Sequence, residues 1–238
     1  MMELRPAPAA LPPGQRIYAV GDVHGCDDRL GLLHRLIAAD LGERPVAEPL
    51  VLHIGDYVDR GPDSAGVIER LLRPFPHPTA RVVNLRGNHE EMALTALETG
   101  DIEACAHWLI NGGMATLASW GVIPLNRPRT WRNAVPPAHL DFMRGLALQH
   151  QAGGYIFVHA GLRPGVPLAR QADADLLWIR EPFLSFKGDF PGVVVHGHTP
   201  QRELTVRPNR ISIDTGAVGG GPLTCVVLEA DRLGVLQA

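Results

Sequence analysis

The stretch IYAVGDVHG, residues 17–25, joins a run of four apolar residues directly to a glycine and two side chains that can bind metal. The apolar run predicts a β-strand that is covered on both faces. Asp22 and His24 stand two residues apart, so extended backbone would point both side chains the same way. Five later runs also place Asp, Asn or His where an apolar segment meets a glycine: residues 55–61 (GDYVDRG), 87–90 (GNHE), 158–161 (VHAG), 196–199 (HGHT) and 214–216 (DTG). Six such junctions in series indicate a site for two metal ions, of the kind that hydrolyses phosphoesters.

Predicted strands alternate with helical patterns in the first part of the chain. Apolar residues at helical spacing, such as Leu30 and Ile37, predict a helix between strands at residues 17–20 and 50–54. A second helical pattern precedes a third strand at residues 81–85. This order of elements implies right-handed crossovers and a largely parallel sheet.

The rest of the chain completes a layered architecture. Residues 90–150 are predicted to be a mostly helical insertion, and strands and loops dominate after residue 154. The predicted fold class is therefore α/β, a layered sandwich of mixed β-sheets flanked by helices, with a helical cap over about residues 90–150. Residues 1–15 are rich in Pro and Ala, and we expect them to form a flexible N-terminal arm before a single domain over residues 16–238.

Composition narrows the classes of partner. The chain has 238 residues and a formal net charge of -3, which does not favour binding to nucleic acid or to a membrane surface through bulk charge. No apolar run is long enough to span a membrane, and the N-terminus has no signal-sequence pattern. Three scattered cysteines without Cys-x-x-Cys spacing are typical of reduced thiols, so a cytoplasmic protein is expected.

The positions of the oxygen ligands favour a dinuclear site. Asp22, Asp56 and Asn88 closely follow predicted strands, and the carboxyl ends of parallel strands meet at one edge of a sheet. A carboxylate can bridge two cations that together activate a water and bind a phosphoryl oxygen, and Asp56 is the natural bridge. Carboxylate, amide and imidazole ligands together suit Mn²⁺, Fe or Zn²⁺, and the sequence does not choose among these three.

The ordered motifs resemble those of a known family. GDVHG, GDYVDRG, GNHE, a strand-end His159 and a Gly-His element at His198 occur in the order found in the phosphoprotein phosphatases, a branch of the calcineurin-like metallophosphoesterases. The chain is most similar to the compact bacterial and phage serine/threonine phosphatases, over roughly residues 17–228. Residues 108–113 (WLINGG) and 178–181 (WIRE) extend the resemblance, which implies the metallophosphoesterase sandwich.

The resemblance also implies roles for individual residues. Two divalent ions, with Mn²⁺ as the first choice, would be held by Asp22, His24, Asp56, Asn88, His159 and His198, with Asp56 shared. His89 would be the general acid, oriented by Asp59. Arg60 and Arg180 would bind the phosphate, because a guanidinium matches two phosphate oxygens. Water would attack directly, so no covalent phospho-enzyme is expected.

Three functions remain open at this point. The first is hydrolysis of phosphoserine and phosphothreonine on a phosphoprotein or phosphopeptide. The second is symmetrical cleavage of diadenosine tetraphosphate, or hydrolysis of another small phosphoester, by a sister group that typically has Gly-Asn-His-Asp where this chain has Glu90. The third is an inactive phosphoprotein-binding module, which would be expected to lack a ligand, whereas every proposed ligand is present. The oligomeric state is left open.

Several residues near the motifs have two interpretations. His198 is preferred to His196 as a ligand, because it follows Gly197 as the first His of the Gly-His-x-His form of related phosphoesterases, which binds the second metal there. The second His of that form would fall at Pro200, and its loss matches the phosphatase family that the chain resembles. Asp214 either supports a ligand histidine or forms a turn. Glu90 is expected to cap or orient a helix start.

The cap region also carries two open interpretations. The WLINGG run at residues 108–113 is interpreted as packing of the cap in preference to substrate contact. The basic residues Arg127, Arg129 and Arg132 are interpreted as part of a solvated loop in preference to a rim for an anionic substrate.

Overall fold

Two mixed β-sheets and seven α-helices make up the part of the chain that the computed structural model describes, residues 2–122 and 128–238. The strands are β1 (Arg5–Pro6), β2 (Gln15–Val20), β3 (Glu48–His53), β4 (Arg81–Asn84), β5 (Gln149–Ala152), β6 (Tyr155–Val158), β7 (Val193–His196), β8 (Thr205–Arg207), β9 (Arg210–Ser212), β10 (Thr224–Glu229) and β11 (Arg232–Gln237). The helices are α1 (Asp27–Glu43), α2 (Ser64–Leu72), α3 (Asn88–Thr99), α4 (Ile102–Trp108), α5 (Met114–Ser119), α6 (Pro137–Arg144) and α7 (Asp173–Trp178).

The first sheet has the order β1-β11-β10-β2-β3-β4, and the second has the order β5-β6-β7-β9-β8. The strands β2, β3 and β4 are parallel, as the alternation of strands and helices predicts. In the second sheet β6, β7 and β9 are parallel, while β5 and β8 are antiparallel edges. The predicted α/β sandwich of mixed sheets is therefore confirmed.

Three apolar layers hold the sandwich together. Alternate residues of β2 face opposite ways, so Ile17 and Ala19 pack between the two sheets, whereas Tyr18 and Val20 pack against α1. On the far side of the second sheet, Val194 packs with apolar residues that follow α7. Because the central strands are buried on both faces, their side chains are apolar on both faces.

The predicted helical insertion lies between β4 and β5 and contains α3 to α6. Residues 109–113 form a kinked turn, Leu109–Gly113, which joins α4 to α5 and is broken at Gly112, where φ is 110°. The stretch expected as a solvated loop is instead a 3₁₀-helix, Pro128–Ala134, whose Trp131 is buried against Trp108. Arg129 and Arg132 are exposed on it, and Arg127 lies outside the described residues.

The N-terminus differs from the flexible arm that its composition predicts. Arg5–Pro6 pairs with β11, and the backbone N–H of Leu11 donates to the carbonyl of Ala230 at 3.0 Å. Leu11 is buried in the layer between the sheets. The segment is held because the edge of β11 offers unpaired backbone groups and the apolar layer accepts a leucine.

No helix in the two described ranges is long and apolar enough to cross a membrane.

Candidate metal centre

The predicted ligands follow the carboxyl ends of five strands. Asp22 and His24 follow β2, Asp56 follows β3, and Asn88 begins the helix after β4; His159 and His198 follow β6 and β7. Backbone hydrogen bonds join neighbouring loops within each sheet. The N–H of His24 donates to the carbonyl of Asp56 at 2.8 Å, and the N–H of Gly197 donates to that of His159 at 2.8 Å. The N–H of His198, after β7 of the second sheet, donates to Asp22 Oδ2 at 3.0 Å, so the candidate ligand loops of the two sheets meet.

One cluster of donor atoms consists of His24, Asp56 and His89, whose ligand atoms all lie within 4.8 Å of one another. His24 donates from Nδ1 to the carbonyl of Val58 at 2.9 Å, so its Nε2 carries a lone pair. This Nε2 lies 3.4 Å from Asp56 Oδ2. Burial lowers the pKa of His24 to about 3, so the imidazole is neutral and able to bind a cation.

A second cluster consists of Asp56, His159 and His198, again within 4.8 Å. His159 donates from Nδ1 to the carbonyl of Ile54 at 3.0 Å, and its Nε2 lies 2.9 Å from Asn88 Oδ1. Nδ1 of His198 is also 2.9 Å from Asn88 Oδ1. Asp56 belongs to both clusters, which is the geometry expected of a bridging carboxylate.

The buried polar atoms of these clusters fit cations. His159 Nε2 has no proton to donate, yet it faces the oxygen of Asn88 and lies 3.4 Å from Asp56 Oδ1. Asp22 Oδ1 is buried and has no hydrogen-bond partner among the described residues. Burial alone would raise the pKa of Asp56, but the surrounding imidazoles, His159 first, hold it well below its usual range. Lone pairs that converge without protons between them are stabilised by a metal ion.

Asp22 lies at the margin of the first cluster. Its Oδ2 accepts the backbone N–H of His198 at 3.0 Å. Burial, followed by the charges of Asp214 and Asp56, raises the pKa of Asp22 well above its ordinary value. Asp214 accepts the N–H of Gly216 at 3.0 Å, as in a turn, and it faces the carboxylate of Asp22. Of the two sequence interpretations of Asp214, the structure shows the turn. The side chain that Asp214 faces is the carboxylate of Asp22 and not a histidine.

His89 and Asp59 form a buried pair. His89 Nδ1 lies 2.7 Å from Asp59 Oδ2, and both side chains are almost inaccessible to solvent. Burial alone would lower the pKa of His89, but the carboxylates of Asp56 and Asp59 raise it above its ordinary value. The Asp59 carboxylate also accepts hydrogen bonds from Trp108 and Thr116 of the cap. Neither of the two sequence interpretations of the WLINGG run included this contact, and no sequence signal marks Thr116.

Glu90 does more than cap a helix. Its carboxylate accepts the N–H of Gly87, where α3 begins, and also the N–H groups of Asp56, Tyr57 and Val58, at 2.7 to 3.2 Å. Glu90 is the third residue of α3 and supplies the glutamate half of a capping box, which predicts the first of these bonds only. Glu90 thus fixes the backbone of the loop that carries Asp56.

The two predicted phosphate-binding arginines flank the clusters. Arg60 is exposed and donates from Nη1 to His24 Nε2 at 2.8 Å. Arg180 is exposed and lines an open cleft of about 490 Å³ together with His198, Trp178 and Asn111. The cleft therefore reaches the second cluster from solvent.

His196 lies outside both clusters. Its ring packs edge-on against Phe183 with centroids 4.8 Å apart, and its Nδ1 is 3.1 Å from the carbonyl of Gly197. The structure thus brings His198, and not His196, to the other candidate ligands, as the sequence predicts.

Comparison with known proteins agrees with this geometry. The family model described as calcineurin-like phosphoesterase matches residues 15–228. Serine/threonine-protein phosphatase 1 of Salmonella typhimurium is 30% identical over 222 residues, which cover 90% of this chain and 93% of the relative. The symmetrical bis(5'-nucleosyl)-tetraphosphatase of Dechloromonas aromatica is 27% identical over 280 residues, covering 89% and 92%.

A solved structure extends the likeness to the fold. The cold-active protein-tyrosine phosphatase of a psychrophilic Shewanella species has a TM-score of 0.61 at 16% identity, over 94% of this chain and 80% of that chain. The ordered ligand loops, the shared fold and the match over nearly the whole sequence lead to one conclusion: this chain belongs to the calcineurin-like phosphoesterase family.

Proposed function

We propose that the chain is a metal-dependent serine/threonine protein phosphatase that acts on phosphoproteins or phosphopeptides. Asp22, His24 and Asp56 would hold one divalent ion, and Asp56, Asn88, His159 and His198 would hold the other. The mixture of carboxylate, amide and neutral imidazole donors supports Mn²⁺, with Fe or Zn²⁺ as alternatives. When bound, such ions neutralise phosphoryl oxygens and acidify water.

The protein's own side chains carry the other parts of the reaction. Arg60 bonds to His24 of the first cluster, Arg180 lines the cleft with His198 of the second, and both would bind the phosphate. His89 would hold a proton on Nε2 and give it to the leaving oxygen, while Nδ1 stays bonded to Asp59. Asp59 accepts the Nδ1–H and, because it is buried with the ring, stabilises the charged imidazolium form, in which both ring nitrogens carry a proton.

The observation that carries the proposal is this buried His89–Asp59 pair. A serine or threonine alkoxide is strongly basic, so it leaves only when it is protonated. The nucleotide released from a dinucleoside tetraphosphate leaves as a phosphate anion, which is a much weaker base and leaves without being protonated. A fully buried imidazole with a dedicated carboxylate therefore favours an alkyl monoester as substrate.

Symmetrical tetraphosphate cleavage remains the second candidate, because a relative with that name matches 89% of this chain. The metal clusters do not discriminate between the two substrates, since neither cluster contacts the leaving group.

A direct comparison of substrates tests the proposal. The Mn²⁺-loaded protein should turn over a phosphothreonine peptide at least tenfold faster, in kcat/KM, than diadenosine tetraphosphate. His89→Asn should lower turnover of the peptide by about 10²–10⁴-fold while the protein still binds its metal. His77→Asn, in a loop remote from the clusters, is the matched control and should leave the rate unchanged. A preference for the tetraphosphate would support the second candidate, and peptide binding without any turnover would support a binding module.

A further inference from the structure

The helical cap contacts Asp59 directly. Trp108 at the end of α4 and Thr116 in α5 both reach the carboxylate that holds His89. We propose that Trp108 and Thr116 are positioning residues for proton donation: the cap orients Asp59, and Asp59 in turn orients the ring of His89. This inference rests on the proposed general-acid role of His89.

Three side chains, Trp108, Thr116 and His89, contact the two oxygens of the Asp59 carboxylate. Trp108 donates from Nε1 to both oxygens of Asp59, at 2.9 and 3.0 Å. Thr116 donates from Oγ1 to Oδ1 at 2.7 Å and accepts the backbone N–H of Asp59 at 2.7 Å. Asp59, Trp108 and Thr116 are all fully buried. The carboxylate therefore has one orientation that satisfies its partners, and in that orientation Oδ2 faces His89.

The backbone of Asp59 does not provide this orientation by itself. Its φ of 74° lies in the left-handed region, which a residue with a side chain adopts only when its surroundings fix it. The cap supplies these surroundings through Thr116. Its hydroxyl donates to the carboxylate of Asp59 and accepts the backbone N–H of Asp59.

The two glycines of the WLINGG run allow the cap to make these contacts. A Cβ on Gly113 would lie 2.7 Å from the indole of Trp108, so only glycine lets the indole fold toward Asp59. Gly112 has a φ of 110°, and its carbonyl accepts the N–H of Arg60 at 3.2 Å. The kinked turn Leu109–Gly113 thus brings the cap against two consecutive residues of the site, Asp59 and Arg60.

The expected effect depends on the leaving group. If Trp108 loses its N–H, Asp59 can rotate and the ring of His89 is no longer aimed, and small misplacements of a reacting group lower rates by up to about 100-fold. Trp108→Phe should therefore lower kcat on the phosphothreonine peptide by about 10- to 100-fold. On p-nitrophenyl phosphate, whose leaving group needs little protonation, kcat should fall by less than about threefold.

The chain offers a matched control in the same cap. Trp120 donates from Nε1 to His139 at 3.0 Å, remote from Asp59, so Trp120→Phe removes the same kind of hydrogen bond. It should slow both substrates equally or not at all. Thr116→Val should behave like Trp108→Phe, and Thr116→Ser should recover most of the peptide rate, because it keeps the hydroxyl.

A double variant separates this inference from the function on which it rests. If Trp108 acts through His89, adding Trp108→Phe to His89→Asn should cause no further loss on the peptide. Additive losses, or a Trp108→Phe profile that matches Trp120→Phe at equal metal content, would overturn the inference while His89 keeps its role. If His89→Asn itself slows both substrates equally, the general-acid role fails first and the inference falls with it.

Discussion

Glu90 offers the sharpest test of how the ligand loops are held. Its carboxylate is fully buried and accepts four backbone N–H groups, from Gly87, Asp56, Tyr57 and Val58. Each oxygen accepts two of them. Glu90→Gln keeps the shape of the side chain but replaces one oxygen by an amide N–H₂, which faces two donors in whichever way the amide is turned.

The magnitude follows from this count. A buried N–H without a partner costs about 1–3 kcal/mol, so two of them cost about 2–6 kcal/mol. Burial and the charge of Asp56 together raise the pKa of Glu90 to about 7. Removing the charge of Glu90 therefore relieves the repulsion between Glu90 and Asp56. We therefore expect a net loss of about 3 kcal/mol in the free energy of unfolding, in the lower half of that range. For a domain of this size the melting temperature should fall by about 6–12 °C.

Thermal unfolding in the presence of a chelator measures this loss without the stabilising effect of bound metal. Glu91→Gln is the matched control, because Glu91 is the next residue, is partly exposed, and pairs with Arg86 at 3.0 Å. Such a surface pair contributes about 0–1 kcal/mol. Calorimetric titration with Mn²⁺ should also show weaker binding for Glu90→Gln than for Glu91→Gln. Equal melting temperatures for the two variants would refute the view that Glu90 fixes the loop of Asp56.

Three further outcomes are expected. A chelator should abolish hydrolysis of an aryl phosphate and added Mn²⁺ should restore it; turnover that survives the chelator would contradict a metal-dependent reaction. His198→Ala should weaken metal binding far more than His196→Ala, as measured by bound metal per chain, and the reverse order would show that the ligand was misassigned. Leu11→Ala should lower the free energy of unfolding by about 2–3 kcal/mol, because Leu11 is buried between the sheets. Leu32→Ala, at an exposed position, should change it by less than about 0.5 kcal/mol, and equal losses would mean that the N-terminal segment is not packed.

The sequence predicts the layered fold and the common edge because both depend on local patterns. Apolar runs such as residues 17–20 must be buried on both faces, and Gly21 and Gly55 stand between two such runs and the candidate ligands Asp22 and Asp56. The parallel order of β2, β3 and β4 then brings Asp22, Asp56 and Asn88 together without any long-range information.

The sequence does not predict contacts that depend on tertiary geometry. Thr116 is an ordinary helical residue in the sequence, and its bond to Asp59 joins residues that are 57 positions apart. The sequence predicts a flexible arm at the N-terminus, because the strand there has only two residues, Arg5–Pro6, which are too few to give a strand pattern. These two residues become a strand by pairing with the edge of β11, which lies at the other end of the sequence.

The backbone of the site explains why so many residues outside the metal clusters are needed. In residues 2–122 and 128–238, six non-glycine residues have positive φ, and five of them belong to the candidate site: His24, Asp56, Asp59, Arg60 and His198. Such conformations are unfavourable by about 1–3 kcal/mol each, and they persist only where neighbouring groups fix them. Glu90 fixes the loop of Asp56, the cap fixes Asp59 and Arg60, and a carboxylate binds the N–H of His198. These contacts are made by the protein's own groups, so strained positions of the candidate ligand loops have neighbours that fix their backbone.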